Sequence, residues 1–319
     1  MNSFPSILES INDLNIFQIK ELISETSYFK SNEQTEHLLL PNSHRPIVTT
    51  SFLENSTRTK HSFAIAINRL GATYIDFNAE KSSLQKGESL EETFLTLYNQ
   101  GVDLCIIRSS TSNLLSEFKI NPPIKLINGG DGINEHPTQA LLDLYTLLEI
   151  CPDLEGRTLA IFGDNIHSRV AHSLIKILPL FKMKVILCGP KAFLPAINDL
   201  PPGIELSESR DEVIKKSDFL YLLRIQKERH DSNMSENFHD YHHEYGVSLA
   251  LLKKMNALKP ILHPGPVNIG VELDQDLLKS NLFLGYKQVQ NSVPMRMAII
   301  KAMLINSDEN IGKIYGEKV

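Results

Sequence analysis

Short, almost wholly apolar runs alternate with helix-period stretches along this chain, and that alternation restricts the fold more than any other feature. IVTTSF (47–52), VDLCIIR (102–108), TLAIF (158–162), KVILC (184–188) and FLYLL (219–223) read as strands. Residues between them, such as Phe63, Ala66, Ile67 and Leu70, recur at steps of three and four and so share one helix face. A strand, a helix and a second strand in this order form a βαβ unit, whose parallel strands are buried. The predicted fold class is α/β, each sheet mainly parallel and flanked by helices.

The pattern runs once to an apolar helix that ends near Cys151 and Pro152, then restarts with GRTLAIFGD. A length of 319 residues is also long for one core, so two domains are predicted, with the helix around 140–150 as connector. An amphipathic helix over 10–30 carries Leu14, Ile16, Ile19 and Leu22. A short strand from Ile124 to Ile127 gives way to a GGDG turn, AFLPAINDL (192–200) reads as helical, and a last helix runs from about Val293 to Leu304.

With 42% hydrophobic and 22% charged residues, the composition is that of an ordinary globular protein. A net charge of −6 argues against a nucleic-acid binder, so any anion site must be a local concentration of cations. The three cysteines lack metal-ligand or CxxC spacing, and Cys105 and Cys188 lie in apolar runs. A reduced, cytoplasmic protein with buried thiols is the simplest account. MNSFPSILES has neither the basic nor the apolar region of a signal peptide, and no apolar run approaches the length of about 20 residues that spans a bilayer.

Ser56-Thr57-Arg58-Thr59 sits where the first of these strands gives way to a helix. The N–H groups at a helix start are unpaired and carry the positive end of its dipole. Hydroxyls and an arginine fork at that point match a phosphate. Capping of the helix by Ser56 or Thr57 is the commoner use of such residues. It accounts for one hydroxyl, not three with an arginine, and an anion site is the better reading.

Other strand ends carry similar chemistry. Arg108 closes VDLCIIR, at the end of the strand where open α/β sheets bind ligands. His136 and Gln139 share the first turn of a helix opened by Pro137, placed to donate to a carbonyl or amide group. In the second domain Arg169 begins a helix, and Arg224 and Gln226 project from one side of an extended chain, a set suited to carboxylates. After Gly163, Asn165 and Ser168 occupy positions where a dinucleotide loop needs glycine. With no Walker loop, Ser-His-Asp spacing or metal-ligand cluster, no cofactor, metal or covalent intermediate is inferred. The polar stretch from Asn78 to Glu88 is long against a norm of about 4–6 residues, and by itself reads as a solvated loop.

STRTK followed by SF, then SSLQKGE, VDLCIIR, HPTQALLDLYT, GD…SRVAHSL, LLRIQKER and HPGPVN occur in one order over nearly the whole chain. In that order they resemble the aspartate/ornithine carbamoyltransferase family. STRT and HPTQ are common to both branches and specify carbamoyl phosphate alone. LLRIQKER points to the aspartate branch, and Pro264 stands after His263 where ornithine enzymes carry cysteine.

The resemblance implies that residues 1–150, joined by a C-terminal helix at about 293–319, bind carbamoyl phosphate, and that 151–292 bind L-aspartate, with the active site in the cleft between the domains. Ser56, Thr57, Arg58, Thr59, Arg108, His136 and Gln139 would hold carbamoyl phosphate, with backbone carbonyls of Gly265 and Pro266. Lys86, Arg169, Arg224 and Gln226 would hold aspartate. Catalysis would rest on Arg58, Thr59, Lys86, Arg108 and His136. Ser82, Ser83 and Lys86 would reach the active site of a neighbouring subunit, making a homotrimer, and Glu54 would orient Arg169 or Arg229.

Gly265, Ala64 and Ser292 depart from the family's usual residues, and none of these changes removes a proposed ligand-contacting side chain. SSTSNLL after Arg108 lacks the His-Pro of enzymes with regulatory chains, which implies a plain trimer. The rivals are transfer to ornithine or another amine, and a catalytically silent binding homologue.

Overall fold

The computed structural model describes residues 3–32, 37–78, 82–225 and 237–305. The chain divides into two compact units, the first running as far as Leu142 and resuming at Val289, the second being Asp143–Gln288.

In the first unit the elements are β1 (Ile7–Leu8), α1 (Ile16–Ser31), β2 (Ile47–Phe52), α2 (Thr57–Arg69), β3 (Thr73–Phe77), α3 (Leu90–Asn99), β4 (Leu104–Ser109) and β5 (Lys125–Asp131). The strands form one parallel sheet in the order β1-β5-β4-β2-β3. β4 is buried along its whole length, which is why it reads as an unbroken apolar run rather than an alternating one. Its Cys105 and Ile107 join Phe94 of α3 and Leu126 of β5 in a core cluster.

From α4 (Pro137–Ile150) the chain enters the second unit, with β6 (Thr158–Phe162), α5 (Arg169–Ile177), β7 (Lys184–Cys188), β8 (Ile204–Ser207), α6 (Arg210–Lys216) and β9 (Phe219–Leu222). It continues through α7 (Asn237–Tyr245), α8 (Leu249–Lys254), β10 (Ile261–Leu262) and α9 (Gln275–Leu278) into α10 (Gly285–Ile305). This sheet is also parallel, in the order β10-β9-β6-β7-β8. Gly163 closes β6 at φ +128, and a Cβ there would come within 2.9 Å of Leu223 Cβ, so the close approach after β6 and β9 requires glycine.

The helix predicted over 10–30 starts only at Ile16, behind a 3₁₀ turn over Ile11–Asp13 and an extended Leu14, and three further elements differ from the sequence reading. AFLPAINDL forms two short 3₁₀ turns, Lys191–Phe193 and Ile197–Asp199, not a helix. Pro195 pushes Leu194 into an extended conformation, and the turn stops there. β5 runs on through Gly129 and Gly130 to Asp131, across a register shift against β4 between Ile107 and Ser109. The last helix starts at Gly285 rather than near Val293 and carries Pro294 inside it. The two-residue strand β1 went unread.

α10 is fastened to the first unit by polar contacts. Lys30 of α1 donates to Asn291 at 2.6 Å, and Lys301 pairs with Glu25 at 3.0 Å. Arg296, only 2% exposed, lies over the Phe63 ring at 4.7 Å and donates to the Ser62 hydroxyl. Ser62 in turn donates to the Arg58 carbonyl at 2.6 Å, so the first turn of α2 is tied to α10.

Candidate active site

In the first unit the chain leaves β2 through α2 towards β3 on one side, then crosses through α3 to β4 on the other side. The edge between β2 and β4 is therefore a topological switch point, where the connections diverge and leave room at the strand ends. The residues singled out from sequence gather at those ends. Phe52 pairs with Arg108 across β2 and β4, and the Leu53 N–H donates to the Arg108 carbonyl at 2.8 Å. Ser56 stands at the N-cap of α2 with extended backbone and makes no capping hydrogen bond through its side chain. Capping, the ordinary role for that serine, is absent. Thr57 and Arg58 are exposed in the first turn, and Thr59 is buried.

Arg108 is 9% exposed, and its guanidinium donates to Glu54 at 3.0 Å and to the Gly129 carbonyl at 3.2 Å. Glu54 thus has a partner within its own unit that sequence reasoning did not supply. Arg229, one of the partners expected for it, lies outside the described residues.

The end of β5 brings His136 to the next strand along. Asp131 accepts from the Glu135 N–H at 3.0 Å, and Glu135 accepts from the Ile11 N–H at 3.1 Å, which fixes the turn before α4. His136 is 4% exposed with the Thr138 hydroxyl 3.5 Å from its Nδ1. The Gln139 N–H donates to the His136 carbonyl at 3.0 Å, placing both residues in one turn. Consecutive strand ends β2, β4 and β5 thereby carry Ser56–Thr59, Arg108 and His136.

Ser82, Ser83 and Lys86 form a separate feature. The Ser82 hydroxyl accepts from the Leu84 N–H at 3.3 Å and starts a 3₁₀ turn over Ser83–Lys86, closed by Gly87 at φ +91. Residues 83–86 of the polar stretch are thus a structured turn. Lys86 is exposed at the end of that turn.

In the second unit the switch point lies between β6 and β9, since α5 leads to β7 on one side and α6 returns the chain to β9 on the other. Phe162 pairs with Leu222, and the Leu223 N–H donates to the Phe162 carbonyl at 2.8 Å. Arg169 is the first residue of α5 and 8% exposed, its helix capped by Ser168, which accepts from the Ala171 N–H at 3.2 Å. Arg224 follows the end of β9, and Gln226 lies outside the described residues. At the third strand end, β10, the Gly265 N–H donates to His263 Nδ1 at 2.8 Å, Gly265 has φ +65, and the Gly265–Pro266 bond is cis. This unit repeats the arrangement of the first, with Arg169, Arg224 and the His263–Pro266 turn at consecutive strand ends.

Among the described residues no three His, Cys, Asp or Glu side chains come together to hold a metal, and no helix is long and apolar enough to cross a membrane.

Two parallel α/β units, each with arginines at the open strand ends of its switch point, define a two-domain protein whose strand ends have the chemistry to hold small anions. Residues 7–149 match the family model "Aspartate/ornithine carbamoyltransferase, carbamoyl-P binding domain", and residues 155–303 match "Aspartate/ornithine carbamoyltransferase, Asp/Orn binding domain". The aspartate carbamoyltransferase catalytic subunit of Thermus aquaticus is 43% identical, over 81% of this chain and 84% of the relative. That of Prochlorococcus marinus is 37% identical, over 92% and 97%. Aspartate transcarbamoylase of Trypanosoma cruzi, solved in complex with carbamoyl phosphate, superposes with a TM-score of 0.83 at 30% identity, covering 94% of this chain and 96% of that one. The same enzyme in complex with carbamoyl phosphate and aspartate gives 0.79 at 28% identity, covering 94% and 97%. The chain belongs to the aspartate/ornithine carbamoyltransferase family.

Proposed function

We propose that the chain is an enzyme that transfers the carbamoyl group of carbamoyl phosphate to the α-amine of L-aspartate, giving N-carbamoyl-L-aspartate and phosphate. The observation that carries this reading is the repeated strand-end arrangement. Ser56–Thr59, Arg108 and His136 suit a phosphate joined to a carbonyl, whereas Arg169 and Arg224 suit carboxylates. The Trypanosoma cruzi structure with carbamoyl phosphate and aspartate supports the same pair of substrates.

The uncharged amine of aspartate attacks the carbonyl carbon, forming the C–N bond. Arg58, Thr59, Arg108 and His136 donate to the oxygen on which negative charge develops, a kind of donor worth about 3 kcal/mol. The bond from carbon to the phosphate oxygen breaks, and the departing phosphate takes the amine proton. Ser56, Thr57 and Gln139 complete the hold on carbamoyl phosphate, and Gly265 and Pro266 offer backbone carbonyls to the amine and amide groups. Much of the acceleration comes from holding the two reactants in register.

Lys86, with Ser82 and Ser83, acts in the site of a neighbouring chain, so the working form is a homotrimer without regulatory chains. Gln226 joins Arg169 and Arg224 on the aspartate. The reaction belongs to the early part of pyrimidine synthesis in the cytoplasm. A colour assay for ureido product, run with aspartate and with ornithine, tests the reading. Product with aspartate is expected, and product with ornithine alone would overturn it.

A further inference from the structure

The turn after β10 is held by buried side chains on both flanks. β10 is only two residues long, so strand pairing fixes little of the turn beyond it. The His263 N–H donates to Gln288 Oε1 at 2.8 Å. His263 Nδ1 accepts from Gly265, which leaves the ring proton on Nε2, 3.1 Å from Glu272 Oε1. The same Glu272 oxygen accepts from the Asn268 N–H, and the Asn268 side chain donates at 2.9 Å to the carbonyl of Ile225, the neighbour of Arg224.

Gln288 joins this turn to the rest of its unit. It is 2% exposed, and its Nε2 donates to Asp143 Oδ1 at 2.7 Å, while Asp143 Oδ2 accepts from the Tyr221 hydroxyl of β9 at 2.7 Å. The amide can face only one way, because its oxygen meets a backbone N–H and its nitrogen meets a carboxylate. A side chain fixed at both ends and out of water is a stiff strut.

We propose that Gln288 is a positioning residue of the carbamoyl transfer. By pinning the first N–H of the 263–268 turn, it sets where Gly265 and Pro266 present their carbonyl oxygens to the acceptor amine and to the amide of carbamoyl phosphate. The inference rests on the reaction proposed above. Gln288 touches neither substrate and acts through His263.

Steady-state kinetics of the full-length Gln288→Met and Gln288→Glu proteins test it. Methionine keeps the length and loses both hydrogen bonds. Displacement of the turn then lowers kcat by about tenfold or more, with a smaller rise, about threefold at most, in the KM for carbamoyl phosphate, whose phosphate is held elsewhere. An unchanged kcat, or an equal loss through the carbamoyl phosphate KM, overturns the proposal. Glutamate keeps an oxygen for the His263 N–H and, when protonated, a donor for Asp143. If the methionine protein does not fold, the glutamate protein decides. Its kcat relative to the unmodified chain rises as pH is lowered from about 8 to about 6, because the introduced carboxyl shares a proton with Asp143. A ratio that stays flat over that range overturns the proposal. Failure of the underlying reaction is separately visible, since the unmodified chain would then make no carbamoyl-aspartate.

Discussion

Glu54 and Arg108 form an ion pair of 3.0 Å at the neighbouring ends of β2 and β4, and the same guanidinium reaches the Gly129 carbonyl. A planar fork held on two sides presents its other donors in a fixed direction. Glu54→Gln keeps the shape and removes the charge. The loss of a charge-assisted bond, about 1–2 kcal/mol, should lower kcat/KM for carbamoyl phosphate by about tenfold. If the pair matters only as a partly exposed salt bridge, the change will be lost in the scatter of the assay.

Two serines at helix starts should separate stability from activity. Ser248 caps α8 by accepting from the Leu251 N–H at 3.0 Å, whereas Ser56 at the start of α2 makes no such bond. Ser248→Ala should cost about 1 kcal/mol of unfolding free energy and leave turnover alone. Ser56→Ala should cost a few tenths at most, about what a serine without a cap bond contributes, and should weaken carbamoyl phosphate binding. Denaturant melts and the carbamoyl phosphate KM, measured on both proteins, check the pair. Equal stability losses would return Ser56 to an ordinary capping role.

The fold was legible where burial is complete. β4, β6 and β9 lie inside their sheets, so their sequences are largely apolar without alternation and their ends stand out, while β2 buries Thr49, Thr50 and Ser51 and is marked by its β-branched residues. The positions of Ser56–Thr59, Arg108 and Arg169 were readable for the same reason, since Arg108 lies in the last pair that its strand makes with β2 and the others follow such an end. β1 was not, because two residues carry no period. Neither was the pairing of Gln288 with Asp143, which are 145 positions apart and meet only in the folded chain. Arg296 had a faint signal, a lone cation within MRMAII, but nothing local names Phe63 and Ser62 as its partners. The Ser82–Lys86 turn shows polarity and no more, and its role came from resemblance.

The cysteines should respond to alkali in two classes. Burial pushes the Cys105 thiol up to about 12, and burial also raises Cys188 to about 12 despite the opposing charge of Arg210. Cys151 is partly exposed. At neutral pH a disulfide reagent should modify one thiol of the native chain and all three after unfolding. Below the ordinary thiol pKa of 9.0 both states keep the Cys105 proton, and stability is independent of it. From there towards about 12 the unfolded thiol ionises while the folded one does not, so stability falls as pH rises, by about 1.4 kcal/mol per pH unit. Cys105→Ala should remove that share of the slope, as read from urea melts between about pH 9 and about pH 11. An unchanged slope would contradict the assignment.

Lys86 and Arg58 are both exposed, one in the 3₁₀ turn before α3 and the other in the first turn of α2. If Lys86 serves the site of a neighbouring chain, each active site draws on two subunits, and the two defects can complement. Arg58→Ala and Lys86→Ala should each lower kcat by about 100-fold or more, with cooperative unfolding retained. When the two proteins are mixed in equal amounts and allowed to exchange, a site recovers only when an intact Arg58 lies beside an intact Lys86 from the other chain. Random assembly makes each of those choices about half the time, so about one quarter of normal activity should return. Mass measurement of the mixed assemblies establishes that exchange took place. Full exchange with no recovered activity would confine Lys86 to its own chain and remove the reason for shared sites.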